Sequence, residues 1–141
     1  MKVCYIFTFC LLVFANSATA QVAVIANASV PVDEIGKTEL GDLYTGDIRN
    51  WSDGNPVIVL DLQPKGDVKN TFYKYFGKST SRMKSIWLKN MLQGEGDPPE
   101  SIATEDEMLE KVASTPGAIG FISEPKAGES VKILLVIEPD A

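Results

Sequence analysis

Short runs of β-forming apolar residues alternate along this chain with segments whose apolar residues recur at helical spacing. That alternation constrains the fold more than any other feature. Residues 21–27, 56–62, 118–122 and 131–137 are near-continuous apolar runs, the pattern of strands buried on both faces. Between the first two, Ile35, Leu40, Leu43 and Tyr44 fall at helical spacing and Gly46 ends the segment. After Pro64-Lys65-Gly66, Asp67 is expected to be an N-cap. Val68, Phe72, Tyr75 and Phe76 then make one apolar face, Tyr73 points outward, and Gly77 closes the helix. A third helix opens at Ser79 or Ser81, with Met83, Ile86, Trp87, Met91 and Leu92 on its inner stripe, and stops at Gly94. Residues 94–99 form a loop. Thr104 and Glu107 have the spacing of a capping box, in which each side chain bonds the other residue's free backbone N–H. Met108, Leu109, Val112 and Ala113 carry that fourth helix inward. Strands alternating with helices predict an α/β domain of three layers, with helices on both faces of the sheet.

Residues 1–20 are expected to lie outside this domain. Lys2 precedes an apolar run from Val3 to Phe14, and Ala18-Thr19-Ala20 puts small residues at the −3 and −1 positions of a cut. This is the order of a cleavable secretory signal peptide, and the run is too short for a membrane span. Residues 21–141 then form the single exported domain, with no transmembrane segment after cleavage. Cys4 and Cys10 are the chain's 2 cysteines, so the exported part has neither a thiol nor a disulfide.

Composition narrows the chemistry. The chain has no histidine, which excludes Ser-His-Asp and Cys-His machinery and histidine metal sites. Its 13 Lys and Arg against 19 Asp and Glu give a net charge of −6. No Lys/Arg run stands against that acidity, so no nucleic-acid partner is expected. Nucleotide fingerprints are missing, because Gly94-x-Gly96 lacks both a preceding strand and a third glycine. Glu105, Asp106, Glu107 and Glu110 crowd one helix start, where acids are favoured by the helix dipole. Neither a cofactor nor a metal is expected, and the chain reads as a non-enzyme.

Two motifs point to a family. The segment Tyr44-Thr45-Gly46-Asp47-Ile48-Arg49-Asn50-Trp51-Ser52-Asp53 resembles the F-x-G-K-I-T-N-W segment of periplasmic phosphate-binding proteins of ABC importers. Thr115-Pro116-Gly117-Ala118-Ile119-Gly120-Phe121 is similar to the T-P-G-S-I-G-Y strand entry of the same family, and the element order between them matches. The resemblance covers roughly residues 22–123 and one lobe of a two-lobed clamshell. It implies a PBP-like domain of the type 2 periplasmic-binding-protein fold over residues 21–141, and a periplasmic location.

In that family, an R-x-D-x-S-G-T signature at a helix N-terminus binds phosphate through Arg, Ser and Thr side chains and backbone N–H groups. Laid on it without gaps, this chain has Leu62 at the Arg position and Pro64 at the Asp position, with Gly66, Asp67 and Val68 at Ser, Gly and Thr. The phosphate signature is thus largely lost. Lys65, Gly66 and Lys69 remain; solvated surface charge is the first reading of both lysines, and a ligand role the second. The resemblance implies a small anion or another small polar ligand, linked to ABC-type transport. Its expected ligand residues are Asn27, Ala28 and Ser29 after the first strand, and Gln63, Lys65, Gly66, Asp67 and Lys69 after the second. In an open α/β sheet ligands sit beyond the carboxyl ends of strands. The alternative is an interaction module whose cleft face docks a periplasmic or membrane protein, or a second copy in a homodimer, without any small-molecule ligand.

Overall fold

Every residue of the first strand, β1 (Val22–Ala26), is buried, because this strand lies inside the sheet with a partner on each edge. The computed structural model describes residues 21–139, so the expected signal peptide lies outside the described residues. After β1 come α1 (Lys37–Thr45), β2 (Ile58–Leu62), α2 (Asp67–Tyr75), α3 (Thr80–Leu92), β3 (Glu100–Ile102), α4 (Glu105–Ser114) and β4 (Ala118–Ser123). A 3-10 turn at Glu124–Lys126 leads to β5 (Lys132–Ile137). The five strands form one sheet in the order β3-β2-β4-β1-β5. β2 runs parallel to β3 and to β4, whereas β1 is antiparallel to both β4 and β5.

The sheet is covered on both sides, as the alternating pattern predicts. Successive strand residues face opposite ways, so Gly120 and Phe121 of β4 look to different layers. A Cβ on Gly120 would meet Met108 Sδ at 2.5 Å and Val112 Cγ2 at 3.2 Å, so α4 packs directly on the bare backbone there. On the other face Phe121 stacks on Phe72 of α2, with ring centroids 3.8 Å apart and planes 8° from parallel. Tyr44, Tyr73 and Phe76 surround that pair edge-on, an arrangement that adds to the burial of large rings. All of the buried apolar side chains among the described residues fall between Val22 and Ile137.

Two helix faces differ from expectation. Tyr73 is fully buried rather than outward, because α3 packs beside α2 and brings Trp87 against its ring, at 6.0 Å between centroids. Met91 and Leu92 are 44% and 76% exposed rather than inward, since α3 leaves the core at its last turn. The short β3 was not visible as a strand in the sequence. It has three residues, two of them exposed, too few to show a period.

The residues that carry the family resemblance meet one another. Trp51 is buried, and its indole N–H donates to the Gly117 carbonyl at 2.9 Å. Gly117 has φ +78°, and a Cβ there would lie 2.5 Å from the Pro56 carbonyl oxygen. The two motifs therefore form one junction, in which a left-handed glycine lets the entry of β4 touch the chain leading into β2.

Candidate anion-binding site

The direction of β1 separates the two groups of expected ligand residues. Ala26 lies opposite Ile119, near the start of β4, while Ile58 and Val59 pair with Ala118 and Ile119. Asn27 thus sits at the amino end of β4, and Leu62 runs three residues further towards its carboxyl end. At 3.3 Å per residue these loops lie on opposite ends of the sheet, at least about 10 Å apart. Asn27–Ser29 and Gln63–Lys69 do not form one site.

The first group is a clasp within the fold. Asn27 is buried and its amide donates to the carbonyls of Val112, at 2.8 Å, and Ala113, at 3.1 Å. These belong to the last turn of α4, whose carbonyls lack partners within the helix. Its Oδ1 accepts the Ser29 backbone N–H at 2.9 Å, and Ser29 Oγ accepts the Gly117 N–H at 3.0 Å. Ala28 is exposed at the tip of this turn. Asn27→Ala leaves buried carbonyls unpaired, and the expected cost is about 2–3 kcal/mol of stability by urea denaturation. A loss below about 0.5 kcal/mol would show that the clasp is not formed.

Of the second group, Lys65, Gly66, Asp67 and Lys69 line a cavity of about 300 Å³ with Ala103, Thr104 and Glu105, whereas Gln63 is exposed and outside that lining. Parallel pairing of Leu62 with Ile102 brings the ends of β2 and β3 side by side, and the Gln63 N–H donates to the Ile102 carbonyl at 2.8 Å. Since a helix follows each strand end, the N-termini of α2 and α4 meet at this cavity. Thr104 caps α4, its Oγ1 accepting the Glu107 N–H at 3.1 Å. The N-terminus of α2 has no side-chain cap. Gly66, not Asp67, is the N-cap. Its φ of 154° and ψ of −171° belong to a region that glycine alone adopts readily, and the turn is completed one residue earlier than the sequence suggests. Asp67 becomes the first helical residue, where a carboxylate is favoured by the dipole.

The two lysines behave differently. Lys65 is exposed at the cavity mouth. Lys69 is not surface charge. It is 4% exposed, and its Nζ lies 3.1 Å from Asp61 Oδ2 on β2. The hydroxyl of Tyr73 donates to Asp61 Oδ1. Burial, followed by the nearby Asp61 charge, raises the Tyr73 and Tyr44 phenols far above the usual range, so both stay protonated. Lys69, Asp61 and Tyr73 form a closed, satisfied cluster beneath the loop. The sequence shows no sign of it, because Asp61 sits inside an apolar run.

Glu105 on the cavity wall is also committed. Its carboxylate accepts the Ser123 backbone N–H and lies 3.4 Å from Lys126 Nζ. Partial burial pushes its pKa up, but the Ser123 bond and the Lys126 charge outweigh that and hold it below the ordinary glutamate value. Among the described residues, no group of three His, Cys, Asp or Glu side chains is placed to hold a metal. A larger hollow of about 360 Å³ opens at the other end of β2, lined by Arg49, Trp87, Asn90 and Glu95 among others, and contains none of the expected ligand residues.

Known proteins resemble this chain in sequence and in fold. Over 109 residues, 75% of this chain, the sequence is 28% identical to the phosphate-binding protein PstS of Bacillus subtilis. The chain resembles the phosphate-binding proteins in sequence and in fold. Its fold superposes on a protein assigned as a phosphate ABC transporter substrate-binding protein from Clostridium perfringens, solved with bound phosphate. The TM-score is 0.67 at 20% identity, covering 82% of this chain and 45% of that one. An ABC-type phosphate transport receptor from Vibrio cholerae (TM-score 0.64, 20% identity, 82% and 46% covered) and PstS from Borrelia burgdorferi (0.60, 17%, 82% and 47%) show the same relation. The chain thus spans about a third of the curated relative and under half of the solved ones. No family model matches it. These relatives are binding proteins, and the mixed five-stranded α/β sheet is the fold they share with this chain.

Proposed function

We propose that this chain is an exported, solute-binding-protein-like domain that takes a small oxyanion at the loop between β2 and α2, in the service of ABC-type transport. The observation that carries the proposal is the cavity at the meeting of two helix N-termini, one of which has no side-chain cap. Backbone N–H groups and helix dipoles favour an anion in such a place. Phosphate is the first candidate, because the curated relative is named for binding it. The Arg, Ser and Thr ligands of the related signature are replaced by Leu62, Gly66 and Val68. The anion is therefore held mainly by N–H groups of Gly66, Asp67 and Val68, with Lys65 beside it.

The affinity is low on this proposal. A hydrogen bond to a charged group is worth about 1.5–3 kcal/mol, so three missing side-chain ligands weaken binding by on the order of a thousandfold or more. Calorimetry with inorganic phosphate at low ionic strength should give a dissociation constant of about 1 mM or weaker. Amide NMR shifts should concentrate in residues 65–68 and 103–105. A micromolar constant would mean that the loop supplies ligands other than those named, and shifts confined to other residues would remove the site.

The exposed carboxylate of Asp67 at the cavity favours a second role for the same face, docking of a protein partner or second copy with basic groups. Crosslinking from Lys65 distinguishes the two. A specific partner or dimer captured there, with no phosphate shifts, would replace the anion site. Export is part of the same proposal. The exported protein should have an intact mass beginning at Gln21, and recovery of the full-length chain from membranes would contradict it.

A further inference from the structure

We propose that the outer face of α3 is a docking surface for anionic lipid bilayers. The sequence is acidic as a whole, but its charge is segregated. Seven of the 13 basic residues lie between Lys65 and Lys89, and Asp67 is the single acid in that stretch. The cations are spaced out rather than consecutive, so folding is what brings part of them onto one face. Arg82, Lys84 and Lys89 are exposed on α3, and none of them forms an ion pair among the described residues. In a chain with 19 acids, three unpaired cations on one helix are a surface without an internal partner.

The same helix carries the largest exposed apolar group of the described residues. Leu88, Met91 and Leu92 are 52%, 44% and 76% exposed. With Lys84 they follow the i, i+4, i+7, i+8 spacing of a single helix face, and Arg82 and Lys89 stand on its flank. Beside this ridge lies a polar hollow of about 330 Å³ whose lining includes Lys78, Arg82, Ser85, Lys89 and the carboxylate of Asp47. A projecting apolar ridge with a basic border matches the chemistry of a membrane interface, where apolar side chains enter the headgroup region and cations meet anionic lipids. Charge complementarity selects the bilayer and sets the orientation. Outside residues 65–89 the chain has 18 acids and 6 basic residues, so the remainder of the molecule is repelled by the surface that attracts α3. No residue of α3 lines the cavity between α2 and α4, so docking through this face leaves the proposed anion site uncovered.

The test is flotation of the chain from Gln21 onwards, which contains the whole core, with vesicles of phosphatidylcholine alone or with about 30% phosphatidylglycerol. The expected result is binding to the anionic vesicles at about 50 mM salt, none to the neutral ones, and loss at about 500 mM. Each cation at such a surface contributes about fivefold to partitioning, so Arg82→Gln/Lys84→Gln/Lys89→Gln should weaken it on the order of a hundredfold. Met91→Ser/Leu92→Ser should weaken it on the order of tenfold. All five residues are exposed, and circular dichroism should show both variants folded with melting temperatures near that of the parent. Equal binding to neutral vesicles, no binding to anionic ones, or full binding by either variant would overturn the proposal. Absence of flotation together with self-association abolished by Lys89→Glu would assign the face to a second copy instead.

Discussion

Gly117→Ala is expected to lower the free energy of unfolding by about 3 kcal/mol, shifting the urea midpoint without changing the slope. Two costs add. A non-glycine residue in the left-handed region costs about 1–2 kcal/mol, and Gly117 has φ +78°. Its new Cβ would also stand 2.5 Å from the Pro56 carbonyl oxygen, a backbone atom that moves only if the hairpin behind Trp51 moves, and overpacking of that kind costs about 1–3 kcal/mol. Gly120→Ala is the instructive comparison. Its nearest obstacle is Met108 Sδ, also at 2.5 Å, but a thioether can turn away, so the loss should be about 1 kcal/mol. Gly36, the N-cap of α1, has φ −86° and nothing within 4 Å of a Cβ, so alanine there should cost only the poorer cap, about 0.5–1 kcal/mol. Equal midpoints for all three variants would mean that the Trp51–Pro56–Gly117 junction is looser than described.

Lys69→Met should be at least as damaging, at about 3–5 kcal/mol, for a different reason. The ammonium of Lys69 is the ion-pair partner of Asp61, and both residues are at most 5% exposed. Removing one member of a buried pair leaves the other as an uncompensated charge. Asp61→Asn/Lys69→Met removes both charges and keeps an acceptor for the Tyr73 hydroxyl, so it should recover most of the loss and lie within about 1 kcal/mol of the parent. A single Lys69→Met variant as stable as the parent would show that water reaches Asp61. The variant also bears on the proposed site. Lys69 is spent inside the fold, so a folded Asp61→Asn/Lys69→Met protein should show the same phosphate response at residues 65–68.

Local period made most of the fold legible in the sequence. Four of the five strands and all four α-helices sit where the apolar spacing puts them, and the order of elements led to the α/β lobe shared with the phosphate-binding proteins. What could not be read depends on contacts between distant residues. Strand direction is one case. Nothing within Val22–Ala26 says that it runs against β4, and that direction parts Asn27 from Lys65. The fate of polar residues is another. Asn27 and Lys69 look like surface or ligand groups in isolation and Asp61 is hidden in an apolar run, and only the docking of α4 and α2 on the sheet supplies their buried partners. Tyr73, Met91 and Leu92 went the wrong way for a related reason, since the helical wheel is blind to which side the neighbouring helix occupies.

The place of β1 sets how this chain must reach its native state. The first strand of the described chain is hydrogen-bonded on one edge to β4 and on the other to β5, pairing Val22 with both Ser123 and Ile137. Its partners are about a hundred residues away, so the sheet closes only by joining segments from opposite ends of the described chain. Loop closure over such distances is entropically costly and slow. The contacts of α2 with α3 are local in sequence, whereas β1 has no edge to pair with until β4 or β5 exists. During synthesis, or during threading through a membrane pore in the exported form proposed above, β1 therefore stays unpaired until β4 has emerged, and the sheet is completed only when β5 follows.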